Sequence, residues 1–254
     1  MEICLVKRRE YKELEELYNA FKVSKNGKVC IAVGGDGTFI RAARAFNRPI
    51  LPIYGNDKLS TGFYSDLNLS DIKMAAEKLK KGDYIVEEIS KKIEIKFKSK
   101  RYYAINEALL RNISEEIAFS VYENENGKRR QLYPFVMSGD GLLVSSAVGS
   151  TAYNRAAGGP IILDKDIICM TFINIDGPYS NPIVAKSSAH FEVEIVKNSG
   201  VLSADGNKIA TLHKGDHFSV SASSLPVRVV RFEGKRETFS EKLEKIIRRR
   251  MSKR

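Results

Sequence analysis

The sequence predicts an α/β fold in two parts: an N-terminal open parallel α/β domain and a C-terminal mainly antiparallel β domain. Three observations lead there. Apolar runs suited to strands alternate with helical spacing over the first third of the chain. After about Gly82 the pattern changes to period two. Turn dipeptides, Asn126-Gly127, Asp176-Gly177 and Asp205-Gly206, punctuate the period-two region. The expected domains are residues 1–88, with about 234–254 packing back on them, and residues 89–233.

Each element has its own signal. EICLV (2–6) suits a buried strand, and Leu14, Leu17, Tyr18 and Phe21 recur on one helix face. KVCIAV (28–33) is a second strand, the residues from Gly37 to Phe46 a helix, and ILPIY (50–54) a third strand. Ser70 is expected to cap a helix that buries Ile72, Ala75, Ala76 and Leu79. KIEIKF (92–97), FEVEIV (191–196) and VRVVRF (227–232) alternate as antiparallel strands do. From Phe239 helical spacing returns, with Leu243, Ile246 and Ile247.

Composition bounds the function. A chain of 254 residues that is 43% hydrophobic can bury a substantial core. Cys4, Cys30 and Cys169 lie in apolar runs without CxxC spacing, so they read as reduced core residues of a cytoplasmic protein, neither a disulfide framework nor a zinc site. The longest apolar run, IICMTFINI (167–175), is about half a membrane span, and no membrane partner is expected. A net charge of +11 fits a nucleic-acid binder, a membrane-surface protein or an enzyme with anionic substrates. No nucleic-acid-binding signature accompanies it, so no nucleic-acid partner is expected.

The chemistry concentrates in GGDGT, Gly34 to Thr38, between a strand and a helix. Successive backbone N–H groups and the positive end of a helix dipole attract phosphate there. A carboxylate in that place, Asp36, repels the same anion unless it has a task. Two tasks are open: holding Mg²⁺ against phosphates, or accepting the proton of an attacking hydroxyl. Taken alone, GGDG also suits an ordinary turn with a capping aspartate. Ile40 breaks the GxGxxG pattern and no GxxxxGK[ST] occurs, which excludes a standard Rossmann loop and a P-loop.

GGDGT after a buried strand is shared by NAD kinases, by diacylglycerol and sphingosine kinases and, in near form, by phosphofructokinases. A second stretch, SGDGLLVSSAVGSTAYNRAAGGPII (138–162), resembles the long NAD kinase signature of GDG, GSTAY and AGGP. Asn106-Glu107 matches that family's Asn-Glu pair, and SADGN (203–207) its aspartate-glycine followed by an amide. Four motifs in order, over nearly the whole chain, identify it as similar to NAD kinases.

That resemblance implies phosphoryl transfer from ATP or polyphosphate to the 2′-hydroxyl of the adenosine ribose of NAD. Asp36 would be the catalytic residue. Gly34, Gly35, Gly37 and Thr38 would hold donor phosphates, which Arg41 could steady, with Mg²⁺ or another divalent cation carried by those phosphates on unassigned protein ligands. NAD would contact Asp36, Gly37, Asn106, Glu107, Ser138, Asp140, Thr151, Ala152, Tyr153, Asn154, Arg155, Ala156, Asp205 and Asn207, partly across the interface of a homo-oligomer, a dimer or tetramer. Residue chemistry agrees: Asn106 offers a donor and an acceptor to an adenine edge, Glu107 can take two ribose hydroxyl protons, and Tyr153 presents an aromatic face and an OH.

The chain departs from the family where Ser145-Ser146-Ala147-Val148 replaces Ser-Thr-Pro-Thr, at Ala156 and Ser138, and in the loop YGNDKLSTGFYSD (54–66). Two other readings stay open: a lipid kinase with the same GGDGT loop, and a dinucleotide-binding sensor without catalysis.

Overall fold

A computed structural model describes residues 1–56, 60–125, 127–177 and 179–251. In chain order its elements are β1 (Glu2–Lys7), α1 (Glu15–Ala20), β2 (Lys22–Val23), β3 (Val29–Gly34), α2 (Asp36–Ala45), β4 (Ile50–Tyr54), β5 (Leu67–Asn68) and α3 (Ile72–Lys81). Next come β6 (Ile85–Phe97), β7 (Lys100–Ala104), β8 (Glu107–Asn112), β9 (Ile117–Glu125), β10 (Lys128–Gln131), β11 (Met137–Gly139), β12 (Gly141–Ser146) and α4 (Tyr153–Ala156). The last are β13 (Ile167–Ile173), β14 (Ile183–Lys186), β15 (His190–Lys197), β16 (Gly200–Ala204), β17 (Asn207–Leu212), β18 (His217–Arg231) and α5 (Phe239–Met251). The chain divides into two compact units, Met1–Glu88 with Val227–Arg254, and Ile89–Pro226.

The first unit is a parallel sheet with helices. β1 pairs with β2 on one side and β3 on the other, and β4 lies between β3 and β5, all parallel. All six residues of β3 are buried, as strands covered on both faces must be. Ile3, Leu14, Leu17, Phe21, Ile31, Val33, Leu51, Ile53 and Leu79 meet in its core. β1 leads outward to β2, whereas β3 leads the other way to β4. The strand order therefore reverses between β1 and β3, the position where open α/β sheets bind ligands at the carboxyl ends of their strands.

Several expectations shift here. α1 ends at Ala20, so Phe21 packs from extended backbone, and Tyr18 is 44% exposed. Ser70 is not a cap. It lies inside a 3-10 turn, Leu69–Asp71, where the Asn68 N–H donates to Asp71 Oδ2 at 2.9 Å. α3 ends at Gly82, whose φ of 72° favours glycine. VRVVRF is the end of β18, and there Val229 pairs parallel with Ile50 of β4. α5 exposes Ile247 and buries Lys242 instead.

The second unit is antiparallel. One sheet orders β14-β13-β12-β8-β16-β17. Elsewhere β9 pairs with β10, β11 and β15, the first part of β18 pairs with β15, and β7 pairs with β6. Asp205-Gly206 makes the β16–β17 turn with φ of 46° and 74°, the left-handed pair that a tight hairpin requires. Gly127 comes after β9 with φ of 77°, and Asn126 lies outside the described residues. Ile95, Leu110, Phe119, Leu142, Met170, Phe191 and Phe218 belong to its core. All three cysteines are buried and free, and burial together with neighbouring Cys4 pushes the Cys30 thiol up to about 12. Among the described residues no helix is long and apolar enough to cross a membrane.

Candidate functional site

Each unit carries its own cluster of candidate site residues. In the first, β3 runs into α2 through Gly34 and Gly35. A Cβ on Gly34 would strike Thr38 Oγ1 and lie 3.2 Å from Arg8 Cβ, so only glycine lets strand and helix approach this closely. Around Gly37 there is open space. Asp36 starts α2, half-buried, and its carboxylate is wrapped by the segment from Ser60 to Tyr64. Oδ2 accepts from Ser60 Oγ (2.9 Å), Thr61 Oγ1 (3.0 Å), the Thr61 N–H (3.3 Å) and the Gly62 N–H (3.1 Å). Oδ1 accepts from the Tyr64 N–H (3.3 Å). In return the Asp36 N–H donates to Ser60 Oγ at 2.8 Å. Among the described residues five donors fix the carboxylate, four of them on Oδ2, and leave Oδ1 the oxygen with lone-pair capacity to receive a proton or a cation.

Thr38 is turned inward: its side chain is buried and its N–H donates to Gly35 O at 2.9 Å. Arg41 Nη2 donates to Lys7 O at 2.8 Å and so ties α2 to the end of β1. Sequence reasoning missed two sets of residues. Ser60, Thr61, Gly62 and Tyr64 are the donors to Asp36, and nothing local links them to a residue 24 positions earlier. Arg8 sits beside Gly34 at the reversal point, with its N–H on Val33 O at 3.1 Å. Its signal was available: it directly succeeds the first strand of a parallel sheet whose next strand feeds a glycine loop.

In the second unit three motifs converge. The Asp205 carboxylate accepts the N–H groups of Ile105 (2.8 Å to Oδ2), Asn106 (2.7 Å to Oδ1) and Glu107 (3.3 Å to Oδ1), while the Asp205 N–H donates to Glu107 O at 3.1 Å. Ser146 Oγ donates to Ile105 O at 2.6 Å and its N–H to Asn106 O at 2.9 Å. A Cβ on Gly149 would strike the Asn106 carbonyl, so the Val148–Thr151 turn lies directly on the Asn106-Glu107 corner.

Glu107 is the electrostatic centre of this cluster. It is 8% exposed, and Oε2 has no hydrogen-bond partner among the described residues. Burial, and then the charge of Asp205, push its carboxyl up to about 7. A buried acceptor left unmatched costs free energy that a hydroxyl donor would relieve.

Other expected ligands have structural partners. Asn154 is fully buried: its Nδ2 donates to Pro160 O (2.9 Å) and its Oδ1 accepts from Thr171 Oγ1 (2.6 Å), so it frames the turn rather than facing an opening. Asn207 Nδ2 donates to Ala204 O and Asp205 O, closing the hairpin turn. Asp140 accepts from the side-chain amides of Asn112 (2.9 Å) and Asn174 (2.7 Å), and Ser138 Oγ donates to Glu116 at 3.0 Å. Thr151 is buried, Ala152 and Tyr153 are half-buried, and Arg155 and Ala156 are exposed along α4. His190, His213 and His217 are strand or loop residues, as their sequence context suggests, with His213 Nδ1 and Ser199 Oγ 2.9 Å apart.

Comparison with known proteins gives a consistent picture. The family description "ATP-NAD kinase N-terminal domain" matches residues 7–84, and "ATP-NAD kinase C-terminal domain" matches residues 128–232. An NAD kinase of Clostridium kluyveri is 32% identical over 228 residues, 86% of this chain and 77% of that protein. An NAD kinase of Clostridium botulinum is 29% identical over 213 residues, 81% of this chain and 73% of the relative. The fold is that of yeast NADH kinase, crystallised with NADH (TM-score 0.78, 17% identity, 97% of this chain and 86% of that one). It is also that of an NAD kinase from Archaeoglobus fulgidus in complex with ATP (TM-score 0.75, 19% identity, 97% and 99%). The matched regions contain both the wrapped Asp36 and the Ser138–Asn207 motifs around Glu107, and on this ground the chain belongs to the NAD kinase family.

Proposed function

We propose that the chain transfers the γ-phosphoryl group of ATP, or the terminal group of polyphosphate, to the 2′-hydroxyl of the adenosine ribose of NAD, giving NADP. The ribose 2′-oxygen forms the new P–O bond, the bond to the ADP oxygen breaks, and the hydroxyl proton passes to Asp36 Oδ1. The observation that carries this reading is the carboxylate at the start of α2, fixed by five donors among the described residues with Oδ1 the less engaged oxygen.

Donor phosphates would lie on the loop from Gly34 to Gly37, with Arg8 beside it. Mg²⁺ enters as MgATP, part of the substrate. Among the described residues no group of three His, Cys, Asp or Glu could cage a metal, and Asp36 Oδ1 is the carboxylate oxygen available at the loop. That donor set suits a cation that keeps waters and phosphate oxygens as its main ligands. In the other unit Glu107 would accept ribose hydroxyls, Asn106 would read the adenine edge, and the turn from Thr151 to Tyr153 would flank the dinucleotide. Asp205 and Asn207 serve this site indirectly, by holding the Asn106-Glu107 corner.

The test is donor and acceptor profiling. ATP, Mg²⁺ and NAD should give NADP, and exchanging NAD for NADH, or ATP for polyphosphate, sets the range. Phosphatidate from diacylglycerol, or NAD binding without turnover, would replace this reading with the lipid kinase or the sensor.

We further propose that the protein works in the cytoplasm as a homo-oligomer, a dimer or tetramer. Ile161, Leu163 and Val184 stay exposed on the second unit and supply apolar surface for a partner copy. Light scattering should report more than one subunit at assay concentration, and an active monomer would reject the arrangement.

The basic residues 248–254 are expected to be dispensable. Arg248 pairs with Glu244 on the exposed side of α5. Deleting 248–254 should leave kcat within about threefold, under ~1 kcal/mol of barrier. A far larger loss in a steady-state assay would mean that the last turn of α5 completes the site.

A further inference from the structure

The first unit contains a buried charge cluster that the reaction does not use directly. Asp66, Arg231 and Lys242 have side chains 6%, 6% and 7% exposed. Asp66 Oδ2 accepts from Arg231 Nη1 at 2.6 Å, and its Oδ1 forms an ion pair with Lys242 Nζ at 2.7 Å. Arg231 Nη1 also donates to Tyr64 O at 3.1 Å, and its Nε to Glu87 at 3.2 Å. Burial, and then the Arg231 charge, lower the pKa of Lys242 against the opposing pull of Asp66.

Such clusters add little net stability, because the desolvation of each ion cancels most of the attraction. What this one does add is position. Tyr64, clamped at its carbonyl by Arg231, donates its N–H to Asp36 Oδ1. Phe63, between Gly62 and Tyr64, whose N–H groups both reach Asp36, meets Phe239 of α5 edge-on at 6.1 Å between ring centres. α5 thus grips the Asp36 segment at two points, Phe239 on Phe63 and Lys242 on Asp66.

We propose that Lys242 and Phe239 of α5 are positioning residues for the phosphoryl transfer: they hold the Gly62 and Tyr64 N–H groups against Asp36 and so aim Oδ1. The role rests on the NAD kinase reaction above. It also separates the two ends of α5, since the first turns would be needed for turnover and residues 248–254 would not.

Lys242→Met keeps the buried length and leaves Arg231 balanced by Asp66 and Glu87. It should retain or raise Tm and leave KM for NAD within about twofold, yet lower kcat by about 10- to 100-fold, the scale of a small misplacement of a reacting group. Amide hydrogen exchange at Gly62 and Tyr64 should speed up while the interior of α2 stays protected. Lys242→Arg, which restores the cation, should recover part of kcat. Phe239→Leu, which loosens only the ring contact, should show the same split of kcat from KM and keeps the test available if Lys242→Met does not fold. Unchanged kcat in folded variants, or kcat, KM and Tm falling together, would overturn the proposal. A wild-type chain that makes no NADP would instead defeat the reaction assigned above, and exchange at Gly62 and Tyr64 would still decide whether Lys242 holds the segment.

Discussion

Asp36→Asn is expected to lower kcat by roughly 10²–10⁴-fold, the usual contribution of general-base help to a weak hydroxyl nucleophile. The substitution is nearly isosteric, but an amide puts an NH₂ group where one carboxylate oxygen stood. In the present geometry Oδ2 accepts from four donors, so the amide oxygen must take that place. The NH₂ then occupies the Oδ1 position, facing the Tyr64 N–H with a donor and offering an attacking hydroxyl no acceptor. Both basicity and any hold on the donor's Mg²⁺ are lost at one atom. ATP affinity should stay level or rise, because a negative charge has been removed beside the phosphates. Steady-state kinetics at saturating NAD and MgATP check this.

Glu107→Gln should act on the cluster around the Asn106-Glu107 corner of the second unit, with a gain in stability rather than a loss. Glu107 has an ordinary value of 4.5 and is raised to about 7 by burial and then by Asp205. The folded protein therefore holds this proton more tightly than the unfolded chain. The resulting stability is complete below about 4.5 and is lost as pH rises through about 7. At pH 8 the ionised group costs on the order of 3 kcal/mol. Gln removes that cost, so the variant should melt higher than wild type at pH 8 and lose that advantage near pH 4.5. NAD binding should weaken by roughly 10- to 100-fold, the value of hydrogen bonds to a charged acceptor. Because hydroxyl donors favour the ionised form, wild-type affinity should also rise with pH through about 7, and the variant's should not. Calorimetric melts and NAD titrations at several pH values measure both effects.

What the sequence made legible was local. β4 occupies 50–54 as its apolar run suggests, and the helix after the glycine loop differs by one residue at each end, because glycines and proline punctuate both. The parallel-then-antiparallel division arises from the two periodicities. What escaped depends on distant partners. Lys242 lies on the buried face of α5 because Asp66 awaits it, a pairing that helical periodicity cannot reveal. Asp205 looked like a ligand in a turn, yet it holds backbone N–H groups 98 to 100 positions away. Asn154, inside the GSTAY signature, is a frame residue because Thr171 and Pro160 take both ends of its amide. Motif spacing picked out residues that meet in the two clusters, whereas which polar group holds which was set by tertiary hydrogen bonds.

We propose a division of labour in which Asp36 serves the chemistry and Glu107 the dinucleotide. Titrating NAD into Asp36→Asn, with NADP formation monitored on the same preparation, tests it most directly. The predicted result is NAD affinity within about threefold of wild type, a difference under ~1 kcal/mol, together with the collapse of kcat. A variant that loses NAD binding but keeps kcat at saturating substrate would make Asp36 a ligand rather than the base.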